Sequence, residues 1–478
     1  MSHAVPDPLP PQPGRCLRRW LDWLFSPEKA RAHWLVFAAL LAASLALQWQ
    51  VGQGFARQTN LDMNASDQLA YLRLVERNVT APWPMVIDGT RNPLFPWLLK
   101  PWHSADREQL FVTAKSVNIA FGMIASVVLG CYFLRRLPLL PAVVLMLLGT
   151  YAVILPISTY VGAEVVFYTA FLFLWVYYWK MLTAVRWQTY AVGGLLCALA
   201  YLAKPSTQLL TLVFGLLSLA RFRDSFSSAK VRRLLLCASV FLVCFLLPVL
   251  PRAWFAWQQY GDPLQSCSAY CFWTDSWDEA QPNLGYYSPR RINELPEDRR
   301  PSLTNYWRHH TSAQMLDRLL EGVPVQAQNF FLPEKTLKLN RKPAKSIRLL
   351  IGFRGAYPVA LLCLTVLLAL ATRGVSEAPD ERRARRMLWW LSGLSFVLHF
   401  LAFAFYVPIT PGARFIMATY LPATFALALG LESLRKHLPS GWPETLYRLS
   451  YLAMAAGLLM SLLPLIHSTA FGEVRGAF

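Results

Sequence analysis

Charge is what this chain has least of. Only 15% of its 478 residues are Asp, Glu, Lys or Arg, whereas a water-soluble domain carries about a quarter. The shortage excludes an ordinary soluble globule; hydrophobic residues make up 55% of the chain and aromatics 14%. Acids are scarcer than bases, 27 against 46, which leaves a formal charge of +19. Such a surplus would suit nucleic acid, but the basic residues stand in short clusters between hydrophobic blocks, as the positive-inside rule expects. Basic, aromatic-rich loops beside a bilayer meet lipid phosphates instead. Membrane lipids are therefore expected as partners, and nucleic acid is not.

Three further absences narrow the class. No apolar run lies close enough to the start to be a cleaved leader. Residues 1–14 carry Pro6, Pro8, Pro10, Pro11 and Pro13 and are expected to be disordered, and the first apolar run begins near Trp34. No internal repeat of mirrored broken helices is visible, and no ionisable residue is read near the middle of a span; a secondary transporter tends to show both. Cysteine, finally, makes no metal-site pattern. Cys16, Cys131, Cys197, Cys237, Cys244 and Cys363 lie in or beside apolar runs, where the thiol behaves as a small hydrophobe. Cys267 and Cys271 are four apart in a polar loop and would be able to pair outside the cytoplasm. A metal centre there is disfavoured, since no second ligand pair has suitable spacing. No cofactor is assigned, and a divalent metal is left open.

What is present is apolar blocks of roughly 15–22 residues, the length that crosses a bilayer core. Spans are expected near 34–51, 111–133, 139–156, 164–180, 189–203, 207–220, 234–250, 349–371, 388–407, 415–431 and 449–467. The expected fold class is an all-α polytopic membrane protein with about 11 transmembrane helices. Its layout is a disordered, basic cytoplasmic segment 1–33, an N-terminal transmembrane module 34–250 with an external loop 52–110, a large external loop 251–348, and C-terminal transmembrane helices 349–478. The charges agree with an N-terminus inside and a C-terminus outside. Cytoplasmic links hold Arg135-Arg136, Lys180, Arg186, the run Arg221 to Arg233, Arg373 to Arg386, Arg435-Lys436 and Arg448, while short external links hold little beyond Lys204 and Arg414. The pair at 189–203 and 207–220 is short and is either two tilted helices or a re-entrant pair.

Both long polar regions then share the external face with the links around Glu164, Lys204 and Arg414. In the first, Leu69, Leu72 and Val75 recur at helical spacing after Ser66-Asp67, which predicts a short interfacial helix. Asp67 either caps that helix or carries chemistry, and Asp62 is a weaker candidate of the same kind. Arg91 runs into Asn92-Pro93-Leu94-Phe95-Pro96. It is either a structural arginine or, fixed by its rigid prolines, a planar fork for an anion. Taken singly, Glu164 reads as a helix-dipole partner and Lys204 as a snorkelling side chain, with Arg414 alike. Their shared face is the informative part. His309-His310 and Arg290, Arg291, Arg299, Arg300 and Arg308 read as solvated surface.

Asp67-Gln68-Leu69-Ala70-Tyr71 resembles the Asp-Glu-x-x-Tyr element in the first external loop of the GT-C superfamily of membrane glycosyltransferases. Arg91-Asn92-Pro93-Leu94-Phe95-Pro96-Trp97 resembles that family's basic-x-Pro-Leu-aromatic element. Glu164, Ala203-Lys204-Pro205, Pro251-Arg252 and Arg414-Phe415 with Pro422 fall where the family carries further elements, so the likeness runs from about residue 34 to 425. Among these enzymes the chain is most similar to bacterial lipid A aminoarabinose transferases and relatives of the protein O-mannosyltransferases. Gln68 departs from the pattern, standing where an acid is common, so a mechanism needing two adjacent acids or a metal between them is not implied.

The resemblance implies a GT-C-like fold in a bacterial inner membrane, with two larger external loops containing short interfacial helices. It also implies a polyprenyl-phosphate-linked sugar as donor and a lipid, glycan or protein acceptor. Asp67 would be the catalytic base, with Glu164 as a second catalytic acid. Arg91, Lys204 and Arg414 would hold the donor phosphate with Arg252 in reserve, and Tyr71 and Asp62 would position the acceptor. A lipid-linked glycan flippase or transporter and an O-antigen ligase or polymerase are the alternatives.

Overall fold

The computed structural model describes residues 13–57, 59–64, 66–79, 91–222, 228–261, 263, 270–280, 295–331, 345–372, 378–410, 412–438 and 441–470. Most of the segment expected to be disordered, together with Asp262, Cys267, Arg290 and Arg291, lies outside them. The described residues form helices and no sheet. In chain order these are α1 (Pro13–Leu24), α2 (Arg31–Ala56), α3 (Ser66–Asn78), α4 (Leu94–Leu99), α5 (Arg107–Arg136), α6 (Leu139–Ser158), α7 (Glu164–Thr183), α8 (Trp187–Ala203) and α9 (Thr207–Phe222). They continue as α10 (Ser228–Tyr260), α11 (Trp277–Ala280), α12 (Leu303–His309), α13 (Ser312–Phe331), α14 (Lys345–Ala371), α15 (Pro379–Phe405), α16 (Ala413–Ile416), α17 (Tyr420–Arg435) and α18 (Trp442–Ala470).

Nine helical stretches among the described residues are long and apolar enough to cross a membrane: α2, α5, α6, α7, α10, α14, α15, the stretch Arg414–Arg435 that runs from α16 into α17, and α18. This makes the chain a multi-pass membrane protein by length and composition. The remaining two of the eleven expected spans, α8 and α9, are shorter apolar helices of 17 and 16 residues. Only 11% of the most apolar stretch of α10 is buried. Leu235, Leu242, Leu247 and Leu250 are exposed along it, a surface suited to lipid rather than water.

Inside the bundle the helices are tied by hydrogen bonds, because lipid supplies no hydrophobic drive between them. Ser126 donates to Gln48 at 3.1 Å, Thr150 to Ser126 at 3.0 Å, and the Tyr151 hydroxyl to the Ser44 carbonyl at 2.7 Å. Part of α6, Gly149–Ile154, is a π-helix. A wide turn of this kind disturbs the regular backbone ladder, and the buried Arg354 of α14 donates to its Ala152 carbonyl at 3.1 Å. His399 corrects the expectation of spans without an ionisable residue near the middle. It is buried within α15, with Nδ1 donating to the Ser395 carbonyl at 2.8 Å and its ring edge-on to Phe171.

The two ends of the bundle differ in chemistry. At one, α1 meets the ends of α17 and α18 through Arg448–Asp22 at 2.6 Å, with Arg435 donating to the Phe25 carbonyl at 2.7 Å. At the other, Lys115 of α5 donates to the carbonyls of Ala56 and Thr59 at 2.9 and 2.8 Å. It thereby satisfies backbone groups that the end of α2 leaves without intrahelical partners. That second end carries the site.

Candidate functional site

The loop after α2 is clamped to the turn before α7. Thr59 and the Asn60 amide both donate to the Thr159 hydroxyl, at 3.0 and 3.2 Å. Asn60 has φ of 52°, a left-handed conformation that asparagine tolerates better than most residues. The loop then enters α3, which buries Ala70, Tyr71, Leu72, Leu74 and Val75 and exposes Arg73. Tyr71 packs edge-on against Phe95 of α4, with ring centres 5.3 Å apart, and Arg107 grips Glu76 with both Nε and Nη2, at 2.5 and 2.8 Å. The predicted helix thus forms, with one face packed into the protein and Arg73 and Arg77 exposed on the other.

This packing presents Asp67 from the first turn of α3. Its two carboxylate oxygens are taken separately, Oδ1 by Arg91 and Oδ2 by Arg414. Arg414 also reaches Glu164 at 3.8 Å, and Glu164 pairs with Lys204 at 2.7 Å. Two acids and three cations from five places in the chain therefore form one network, with Arg414 bridging both acids. Arg91 and Arg414 are each anchored from outside the network. Asn92, next to Arg91, donates to the Tyr201 carbonyl near the end of α8. The Tyr168 hydroxyl donates to the Arg414 carbonyl, and Tyr160 and Phe415 flank the Arg414 guanidinium at 5.3 and 5.0 Å. A Cβ at Gly162 would push the Glu164 carboxylate out of its place in the network.

The electrostatics follow from that arrangement. Burial alone would push the Asp67 carboxyl up, but Arg414 and Arg91 outweigh it and hold the group well below the usual carboxylate range. Burial pushes the Lys204 amine down, while Glu164 beside it pulls the other way. Tyr160 and Tyr71 are pushed up, chiefly by burial. Among the described residues the network carries one more cation than acid, a balance that favours an anion, and its Asp67 carboxylate is held in the ionised form.

These charges form one wall of a cavity of about 540 Å³, a volume typical of small-ligand sites. Much of the remaining lining is an aromatic wall, Phe272, Trp273 and Trp277 from the second polar region with Phe403 and Tyr406, while Phe415 lies against Arg414 and Lys204. Leu209 of α9 and Ala402 of α15 carry the lining into helices of the bundle. Asp67, Tyr71, Arg91, Glu164, Lys204 and Arg414, all expected at a site, line this cavity. Two expected residues do not. Asp62 is exposed and its carboxylate accepts from the Asn64 backbone N–H at 2.9 Å, so it shapes a turn. Arg252 is buried behind the site, donating to the Tyr201 hydroxyl at 3.2 Å with its guanidinium over that ring. Cys271 also lines the cavity, while Cys267, its expected partner, lies outside the described residues. The aromatic wall was not read from sequence, although the Cys271-Phe272-Trp273-Thr274-Asp275-Ser276-Trp277 run is unusually aromatic for a polar loop.

Gln68 has a structural explanation. Its amide nitrogen donates to the carbonyls of Asn60 and Asp62 at 3.2 and 2.8 Å, and its oxygen accepts from the Val161 N–H at 3.1 Å. The side chain is buried, points away from Asp67's partners and holds the loop to the α7 turn. A carboxylate there would lose both donors and face two carbonyls. Gln68→Glu is expected to destabilise the protein by about 2–4 kcal/mol and to lower activity, measured as thermal unfolding and turnover side by side. A gain of activity on added divalent metal would overturn this account. Among the described residues no group of three or more His, Cys, Asp or Glu stands together as a metal site.

No protein-family model and no curated protein sequence matches the chain.

Proposed function

We propose that this protein is a glycosyltransferase of the GT-C type, moving a sugar from a polyprenyl-phosphate donor to an acceptor hydroxyl at the external face of a bacterial inner membrane. The observation that carries this reading is Asp67 held between Arg91 and Arg414 in a cavity with one charged wall, one aromatic wall and an apolar extension into the bundle. The donor's three parts match the three surfaces: phosphate to the cations, sugar to the aromatic wall, prenyl chain to the apolar side near Leu209 and Ala402.

In the reaction the acceptor oxygen bonds to the anomeric carbon as the bond from that carbon to the phosphate oxygen breaks. The phosphate keeps the electron pair, and Arg91, Lys204 and Arg414 stabilise the charge that gathers on it. Asp67 takes the proton from the acceptor hydroxyl and later returns it to solvent. One direct displacement inverts the configuration of the sugar. Glu164 holds Lys204 and Arg414 in place. The excess positive charge of the site suits a singly charged phosphodiester.

The two arginines on Asp67 impose an order. A carboxylate held this far below its usual range is a poor base. An arriving phosphate competes for both guanidiniums, and as they turn to it the carboxylate regains basicity. The donor is therefore expected to bind first, and initial-rate patterns with a dead-end acceptor analogue would read out that order.

The test of the reaction itself uses purified protein in lipid bilayers with a labelled polyprenyl-phosphate sugar and candidate lipid, glycan or peptide acceptors. Label is expected on an acceptor with inverted anomeric configuration. Movement of the labelled lipid across the bilayer without transfer would replace this reading by a lipid-linked glycan flippase.

A further inference from the structure

A second polar cluster stands behind the aromatic wall, and the mechanism above makes no use of it. Asp275 lies in the same short segment as Phe272, Trp273 and Trp277. It accepts hydrogen bonds from the Tyr306 hydroxyl at 2.8 Å and from His310 Nε2 at 2.9 Å, and Arg318 Nη1 lies 3.4 Å away. His310, read from sequence as solvated surface, is instead stacked on Tyr306 with ring centres 3.9 Å apart.

Arg318 joins this cluster to the membrane helices. Its side chain is 8% exposed. Nη1 donates to the Tyr306 hydroxyl at 2.8 Å, Nε donates to the Phe405 carbonyl at 2.8 Å, and the guanidinium lies 4.1 Å from the Phe405 ring centre. One turn further along α13, Gly322 packs so closely on the Ala404 backbone that a Cβ would not fit. The Arg318 fork therefore ties two separate parts of the cavity lining. One is the Phe272–Trp277 segment, through Asp275 and Tyr306. The other is the end of α15, where Tyr406 stacks on Phe272 at 4.6 Å.

Burying a guanidinium beside a half-exposed carboxylate is a costly way to gain stability alone. Its rigid planar donors are, however, well suited to fixing two elements at one distance and angle. We propose that Arg318 and Asp275 are positioning residues: they set the aromatic wall at the spacing from the cations that receives the sugar ring of the donor by stacking. This rests on the glycosyl-transfer reading above. It adds that sugar recognition is governed from outside the cavity, by a clamp between the second polar region and α15.

The test uses the full chain in lipid bilayers. Arg318→Gln is expected to raise the KM for the lipid-linked donor about tenfold, the effect of losing one charge-assisted hydrogen bond, while kcat stays within about twofold. Arg318→Lys, which keeps the charge but not the fork, should fall between. Asp275→Asn, a milder change at a half-exposed side chain, should act in the same direction, and the double variant should be little worse than either single one. Hydrogen exchange over 271–280 should quicken in each. Faster exchange with an unchanged donor KM would overturn the positioning role and leave the transferase reading intact, as would additive effects in the double variant. Absence of transfer by the unmodified protein strikes the transferase reading alone, and the exchange measurement still reports whether the clamp exists.

Discussion

Asp67→Asn is expected to lower sugar transfer by about 10²–10⁴-fold, the range for loss of a general base, while binding the lipid-linked donor more tightly. The two effects have one cause. In the resting site the carboxylate neutralises Arg91 and Arg414. An amide of the same shape leaves both guanidiniums to a phosphate and takes no proton from the acceptor. Binding of labelled donor and single-turnover transfer, measured on the same preparation, separate these effects. Undiminished transfer would remove Asp67 as the base. Weaker donor binding would show that the arginines were positioned by Asp67 rather than competed for.

The same group sets a pH dependence whose sign is fixed. Its folded value is depressed, by Arg414 and Arg91 against the opposing effect of burial. The stability it contributes is therefore fully present above the unfolded carboxylate value of about 4. It is lost only as pH falls below that value towards the depressed folded one. Through the neutral range the carboxylate of the unliganded protein stays ionised.

Arg414→Gln is the change expected to damage the site most broadly. It removes the cation that, among the described residues, touches both acids, leaving Asp67 with Arg91 and Glu164 with Lys204. Loss of leaving-group stabilisation should cost about 10²–10³-fold in turnover. Breaking a largely buried ion pair should cost about 3–5 kcal/mol of stability. Donor binding should weaken, opposite in sign to the aspartate variant. Arg414→Lys should recover stability more than turnover, since an ammonium keeps the charge but cannot bridge two carboxylates as a planar fork does. Turnover, donor affinity and thermal unfolding on the three proteins check this. Equal donor affinity in all three would exclude Arg414 from the phosphate site.

The residues that line the cavity were legible to different degrees. Asp67, Arg91, Glu164, Lys204 and Arg414 stand out in sequence because a charge beside an apolar run is rare and costly. Asp62 and Arg252 stand out for the same reason, yet one shapes a turn and the other sits behind Tyr201. Gln68 looked like a lost acid and is a loop-holding amide. Trp273, Trp277 and Arg318 could not be placed, because an aromatic or an arginine in a long polar region has no periodicity to say what it faces.

The sequence by itself determined the membrane-spanning character of the chain. Transfer of a helix into lipid is governed by local composition and length, and both can be read in a window of one span. It also determined which charges lie near the ends of the spans. Only the tertiary structure decided which of those charges meet: that Arg414 reaches back to Asp67 and Glu164, that Asn92 seats Arg91 against the end of α8, and that the second polar region supplies the aromatic wall. Those pairings depend on how helices far apart in the chain pack side by side. The packing is set by shape and hydrogen bonding between surfaces that no local window contains.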